Sequence, residues 1–293
     1  MKLPPENLAE PERRWAKLPK MKVGLALGGG AARGLAHIGV LEVLQKEGIP
    51  IDMIAGTSAG AAVGAIYAQS KDATLIKNLV LSLDWKAATS LVDIALPRDG
   101  FIKGKKITDY LRTIIGGDIK FADLKIPLTC VATDILACEE VVIKEGSVVE
   151  GVRASISIPA VFALVRRKDR YLTDGGLVNP VPVSVVRGMG ADFIIAVNVM
   201  PDMRERARQA RRKETRKLKK PDIFSVIMQS MNIASCLLVR SCLEGADIVI
   251  APRVAHIGRT EFRRAQECIS QGEIAAQDRV VEIKKRLKMG EAI

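Results

Sequence analysis

A serine between glycines, Gly56-Thr57-Ser58-Ala59-Gly60, lies between a short apolar run and a stretch of small, helix-forming residues. A G-x-S-x-G at a strand-to-helix turn pushes the hydroxyl into the open, and its glycines remove Cβ atoms that so sharp a turn would bring into collision. The helix that follows would present its positive end to an attacking oxygen. Two readings stand together: Ser58 is a nucleophile, or it caps a helix in a Gly-rich turn. A second cluster, Gly28-Gly29-Gly30-Ala31-Ala32-Arg33-Gly34, occupies an earlier junction of the same kind. Consecutive glycines let backbone N–H groups converge on one point, so this loop could be an oxyanion hole or a phosphate cradle. The nucleotide motifs fail on detail, because Arg33 stands where a dinucleotide fingerprint needs glycine and Leu35 where a phosphate loop needs lysine. An oxyanion hole survives, one strand from Ser58 in a parallel sheet.

A nucleophilic serine needs a base. The chain has two histidines. His37 lies one turn into an apolar helical stretch, and His256 follows the last expected strand, flanked by Arg253 and Arg259. The order Ser58, an aspartate, His256 would match an α/β-hydrolase triad, but there the elbow normally follows several strands, and here it follows the second. For both histidines the plain reading is packing or surface exposure. Asp174-Gly175-Gly176, after a hairpin strand, is ordinarily a turn. With a serine elbow and no usable histidine it becomes the leading base candidate. A free aspartate, with a pKa near 3.9, is too weak a base at neutral pH, so partial burial would have to raise it. Such a base suits esters and thioesters better than amides.

The elements that must position these groups can be read from periodicity. Met21 to Leu27 and Ile51 to Ala55 read as buried strands, each followed by a helix, at 35–47 and 59–69. Strand, helix, strand, helix predicts parallel strands with right-handed crossovers. Further helices are expected near 72–83, 104–115, 148–155, 181–187 and 262–288. Strands are expected at 126–133, 141–143 and 193–199, in a hairpin of 162–165 with 170–172, and at 247–250. Residues 1–20 read as a Pro-rich arm outside the core, and 21–293 as one domain. The apolar stretch from Ile223 to Val239 is read as too polar and too short to cross a bilayer, and as a helix with one buried face.

Of 293 residues, 48% are hydrophobic and 27% charged, enough apolar material for a sizeable core and too much charge for a purely membrane protein. The opening MKLPPENLAEPERRW lacks an apolar stretch after a basic start, so no secretory signal is read there. Five cysteines with no CxxC pair read as reduced thiols of a cytosolic protein. Net charge is +12, and residues 201–220 hold ten Lys or Arg, from Arg204 to Lys220, against three acids. That tract reads as a solvated insertion or as a contact for anionic lipid headgroups at the inner membrane face. It holds no aromatic residue for base stacking, which weakens a nucleic-acid reading.

Taken together and in this order, the Gly-rich loop with its arginine, the GTSAG elbow, Arg153-Ala154-Ser155-Ile156-Ser157-Ile158-Pro159 and Asp174-Gly175-Gly176-Leu177-Val178-Asn179-Pro180 resemble bacterial patatin-like phospholipases and the esterase domain of neuropathy target esterase. The resemblance covers roughly residues 22–287. It implies a three-layer α/β/α sandwich with a mainly parallel central sheet, and a Ser58–Asp174 dyad without histidine. It also implies oxyanion donors from Gly28, Gly29 and Gly30 with Ala59, a substrate-side role for Arg33, and hydrolysis of phospholipid or lysophospholipid acyl esters without metal or cofactor. Arg33 has a plainer role as an anchor of its loop. Many bacterial members carry glycine where this chain has Ala31, and alanine calls for more ordinary backbone angles. The alternatives are a non-catalytic regulatory or membrane-binding protein that keeps the fold, and a His-dependent α/β-hydrolase. A cytoplasmic protein with peripheral membrane contact is the expected setting.

Overall fold

Alternate residues of the central strands face opposite ways, and each set is buried. Leu25 and Leu27 of the first strand join one apolar cluster, whereas Ala26 joins another on the opposite face. Ile54 and Cys130 follow the first pattern, Met53, Ala55 and Val131 the second. Strands apolar on both faces belong in the middle of a sheet covered by helices on each side. The computed structural model describes residues 21–83, 104–201 and 222–288. The expected arm 1–20, the stretch 84–103 and, apart from Pro201, the cationic tract lie outside the described residues.

The strands are β1 (Val23–Leu27), β2 (Met53–Thr57), β3 (Leu128–Asp134), β4 (Glu139–Ile143), β5 (Val165–Arg167), β6 (Arg170–Asp174), β7 (Phe193–Val197) and β8 (Ile248–Ile250). The helices are α1 (Ala36–Lys46), α2 (Ala59–Ser70), α3 (Ala73–Ser82), α4 (Lys105–Ile115), α5 (Val148–Ser155), α6 (Val183–Gly188), α7 (Ile223–Cys242) and α8 (Ala265–Arg286). The sheet runs β5-β6-β3-β2-β1-β7-β8, with β4 also paired to β3. The stretch from β3 through β2, β1 and β7 to β8 is parallel, while β4, β5 and β6 are antiparallel to their neighbours. Residues of α1, α2, α3 and α8 pack into the cluster on one face, and those of α6 with Val239 of α7 into the cluster on the other. The expected mixed α/β fold, a central sheet flanked by helices, is therefore the fold observed.

Two sequence expectations shift. The second strand runs on to Thr57 rather than stopping at Ala55, because Gly56 and Thr57 still pair with Cys130 and Val131 of β3. The helix at Ile223 extends through Arg240 and Ser241 to Cys242; with 20 residues and an 18-residue stretch of mean hydropathy 1.5, it is by length and composition enough to cross a membrane. The reading of that segment as too short and too polar is corrected accordingly. It does have one buried face, formed by Asn232, Ser235 and Val239. All five cysteines are free; Cys130 and Cys268 are buried and Cys138 is exposed.

Candidate active site

The register of β3 explains how two residues 116 positions apart meet. Its Val131 pairs with Thr57, the last residue of β2, and the next residue, Ala132, pairs with Asp174, the last of β6. Ser58 steps off the end of β2 just where β6 delivers its carboxylate. Ser58 Oγ donates a 2.6 Å hydrogen bond to Asp174 Oδ2.

Ser58 has φ 51° and ψ −119°, a conformation that L-residues avoid. It is held there from several sides. Its amide donates to Ser155 Oγ at 2.8 Å, and that hydroxyl donates to Val131 O at 2.5 Å. Thr57 Oγ1 donates to Asn179 O at 2.8 Å. The flanking glycines are required by close approach: a Cβ on Gly60 would lie 2.1 Å from Leu27 O, and one on Gly56 2.5 Å from the Ala61 Cα. Ser58 occupies the N-cap of α2, but its side chain makes no capping bond. The hydroxyl is turned to Asp174 instead, which decides against the helix-cap reading.

Asp174 is buried. Its Oδ1 accepts from Gly176 N at 2.8 Å and its carbonyl accepts from Thr133 Oγ1 at 2.8 Å. Burial pushes its pKa above the ordinary carboxylate value; the hydrogen bonds from Ser58 and Gly176 and the charge of Arg259 pull the other way. The upward shift is what an aspartate base requires.

The Gly-rich loop is anchored rather than open along its length. Gly28 N donates to Val197 O at 3.0 Å and Gly29 N to Pro180 O at 2.9 Å. Those two amides are engaged by neighbouring backbone, which corrects the expectation that Gly28 and Gly29 donate to an oxyanion. Within the Gly-rich loop and the elbow, the amides of Gly30, Ala31, Ala59 and Gly60 make no hydrogen bond among the described residues. Ala31 adopts φ 51°, so it takes up the glycine-like conformation that its side chain was expected to resist. Arg33 is buried, its Nε donating to Ile257 O at 2.6 Å, and it is not among the residues lining the cleft at Ser58. The geometry corrects the substrate-side role and gives Arg33 the anchoring one. The loop after β8 holds the Gly-rich segment at a second point, Arg259 O accepting from Ala32 N at 3.0 Å.

Neither histidine bonds to Ser58. His256 is exposed and pairs with Glu267 at 2.7 Å. His37 is fully buried, with Nε2 2.7 Å from Gly28 O, so the ring supports the loop from behind as a neutral donor. Desolvation lowers its pKa to about 4. A histidine depressed in the folded state contributes stability that is complete above its ordinary pKa, 6.5, and lost as pH falls towards 4. Urea denaturation at pH 7 and pH 5 should therefore differ by about 2 kcal/mol from this residue, the more stable state being at pH 7. A His37→Gln variant should lack that difference; an equal slope in both proteins would contradict it.

The cleft over Ser58 is narrow, with a volume of ≈ 20 Å³, room for about a single water. Gly30, Asp174, Met200, Met231, Ser235 and Arg259 contribute to its walls. Ser155 and Arg259 were missed as site residues by sequence reasoning. Ser155 stands inside a motif singled out on other grounds, and Arg259 had been weighed only as a neighbour of His256.

Fold and site define an α/β protein with a strained serine elbow at the carboxyl end of a parallel strand and a buried carboxylate as the hydroxyl's partner. The chain belongs to the patatin-like phospholipase family, whose model matches residues 25–187. It is 39% identical over 178 residues to an uncharacterized NTE family protein of Mycobacterium tuberculosis, covering 61% of this chain and 49% of that one. It is 36% identical over 184 residues to the Homo sapiens patatin-like phospholipase domain-containing protein 6, covering 60% of this chain and 13% of that one. The chain thus spans about half the length of the mycobacterial relative and a small part of the human one. In structure it is similar to VipD from Legionella pneumophila, with a TM-score of 0.54 and 15% identity over 90% of this chain and 67% of the other, a likeness of fold.

Proposed function

We propose that the protein is a serine esterase that hydrolyses acyl esters of phospholipids or lysophospholipids through Ser58 and Asp174. The observation that carries this reading is the 2.6 Å hydrogen bond from Ser58 Oγ to the buried Asp174 carboxylate. Ser58 Oγ attacks the ester carbonyl carbon as its proton passes to Asp174 Oδ2. The tetrahedral oxyanion takes hydrogen bonds from the amides of Gly30, Ala31 and Ala59, and the positive end of α2 adds to their effect. As the intermediate collapses, Asp174 returns the proton to the departing alcohol, leaving an acyl group on Ser58. Asp174 then takes a proton from water as the water oxygen attacks the acyl carbon; collapse breaks the bond to Ser58 Oγ, which takes that proton back from Asp174, and the carboxylic acid is released. Family membership and the raised pKa of Asp174 support this reading.

The test is release of p-nitrophenol from a short-chain ester by the full-length chain. No turnover by the wild type above a Ser58→Ala control would end the proposal. The cationic tract from Arg204 to Lys220 is proposed to draw the enzyme to anionic lipid, at roughly 1 kcal/mol per basic residue near the surface. Co-sedimentation should rise when phosphatidylglycerol is added to phosphatidylcholine liposomes, and equal binding to both would contradict the attraction.

A further inference from the structure

Helix α7 is turned inside out relative to an ordinary surface helix. Its buried residues are Asn232, Ser235 and Val239, two of them polar. Asn232 Oδ1 lies 3.4 Å from Arg259 Nη1, and Ser235 Oγ donates to Gly176 O at 2.8 Å, two residues from Asp174. The opposite face carries Ile223, Val226, Ile227, Ile233 and Leu237, all exposed, at the spacing of a single helical stripe. Ile223 is 76% and Leu237 65% exposed. No charged residue interrupts the helix between its cap, Asp222, and Arg240. An apolar stripe of this length left towards solvent marks an interaction surface.

We propose that the outer face of α7 inserts into the surface of an anionic lipid layer and so delivers the cleft at Ser58 to the interface. This rests on the esterase reading and gives it a mode of substrate access. Two observations select a lipid surface as the occupant. The first is continuity with the site: Met231 and Ser235 of the same helix line the cleft with Ser58 and Asp174, so the helix that carries the stripe is also a wall of the cleft. The second is charge complementarity: the twenty residues 201–220, which lead into the helix, carry ten Lys or Arg against three acids. An outward apolar face on a helix that a dense run of cations precedes in the chain suits attachment to an acidic layer. The bonds of Asn232 and Ser235 hold one side of the helix against the body of the domain, so the side offered to the layer is the apolar one.

The test uses full-length Ser58→Ala protein, so that binding is read without hydrolysis, and flotation with vesicles of phosphatidylcholine and phosphatidylglycerol in equal parts. A double variant, Ile227→Gln with Leu237→Gln, removes two stripe residues outside the cleft. Its partitioning should fall roughly tenfold for each side chain replaced. In the Ser58 background the double variant should hydrolyse a soluble short-chain ester as fast as the wild type, while losing activity on vesicle lipid. Undiminished flotation of the double variant overturns the proposal, as does failure of the parent to float. Undiminished flotation with a dimer converted to monomer would assign the stripe to a second copy of the chain. Stripe-dependent flotation by a protein whose Ser58 form hydrolyses no ester would support the docking surface and overturn the esterase reading instead.

Discussion

Ser58→Ala and Ser58→Gly are both expected to lose ester turnover by more than roughly 10⁴-fold while remaining folded. Both remove the hydroxyl that donates to Asp174 Oδ2, and with it the atom that would carry the acyl group. The two variants should differ in stability. At φ 51° and ψ −119° a side chain at this position is strained, and a glycine is not. Each loses the same hydrogen bond, so comparing them cancels that loss. The glycine variant is expected to be more stable than the alanine variant by about 1 kcal/mol. Denaturant midpoints measure this directly. Equal midpoints would mean that the elbow stores no strain, and retained turnover in either variant would remove Ser58 from the reaction.

The second large effect concerns Asp174. An asparagine there can still accept from Gly176 N, and the backbone bonds to Thr133 and Ser157 need no carboxylate. What it cannot do is take a proton from Ser58. Loss of the proposed general base should reduce turnover by about 10²–10⁴-fold. The pH profile adds an independent reading. As the proposed base Asp174 would act in its ionised form, and its pKa is raised by burial above the ordinary 3.8. Wild-type activity should therefore fall as pH drops through a midpoint above that value, and the residual activity of Asp174→Asn should lack that limb. The stability sign is opposite. A carboxyl whose folded pKa is raised contributes stability at low pH and loses it as pH rises through the folded value. Asp174→Asn should thus gain on the wild type most clearly at neutral pH. His256→Ala is the control: the ring is exposed and paired with Glu267, so most turnover should survive. Loss of turnover there, with retention in Asp174→Asn, would favour the His-dependent alternative.

Much of this arrangement was legible in the sequence because it rests on local rules. Glycines at 56 and 60 announced a sharp turn, and periodicity set most element boundaries to within a few residues. The elbow and Asp174 were recognisable as motifs. The Gly-rich loop was readable only in part. Which of its amides remain available depends on Val197 and Pro180, more than 150 residues later, and no feature of the loop itself reports them. Arg33 misled for the same reason, since its carbonyl partner, Ile257, lies 224 positions away. The inverted burial of α7 was hidden as well. An apolar segment broken by Ser and Asn predicts a helix, but not which side meets the protein.

The sequence by itself determined the local conformations and the chemical types: a serine placed for a tight turn, a carboxylate before two glycines, strands apolar on both faces. Backbone sterics and side-chain periodicity act over a few residues, so they can be read along the chain. Only the tertiary structure decided that Ser58 and Asp174 lie within hydrogen-bonding distance, that burial raises the pKa of the carboxylate, and that the apolar side of α7 is left outward. These depend on strand order and on what desolvates each group. Both are set by contacts between distant segments, because pairing β2 and β6 to successive residues of one strand is a property of the assembled sheet.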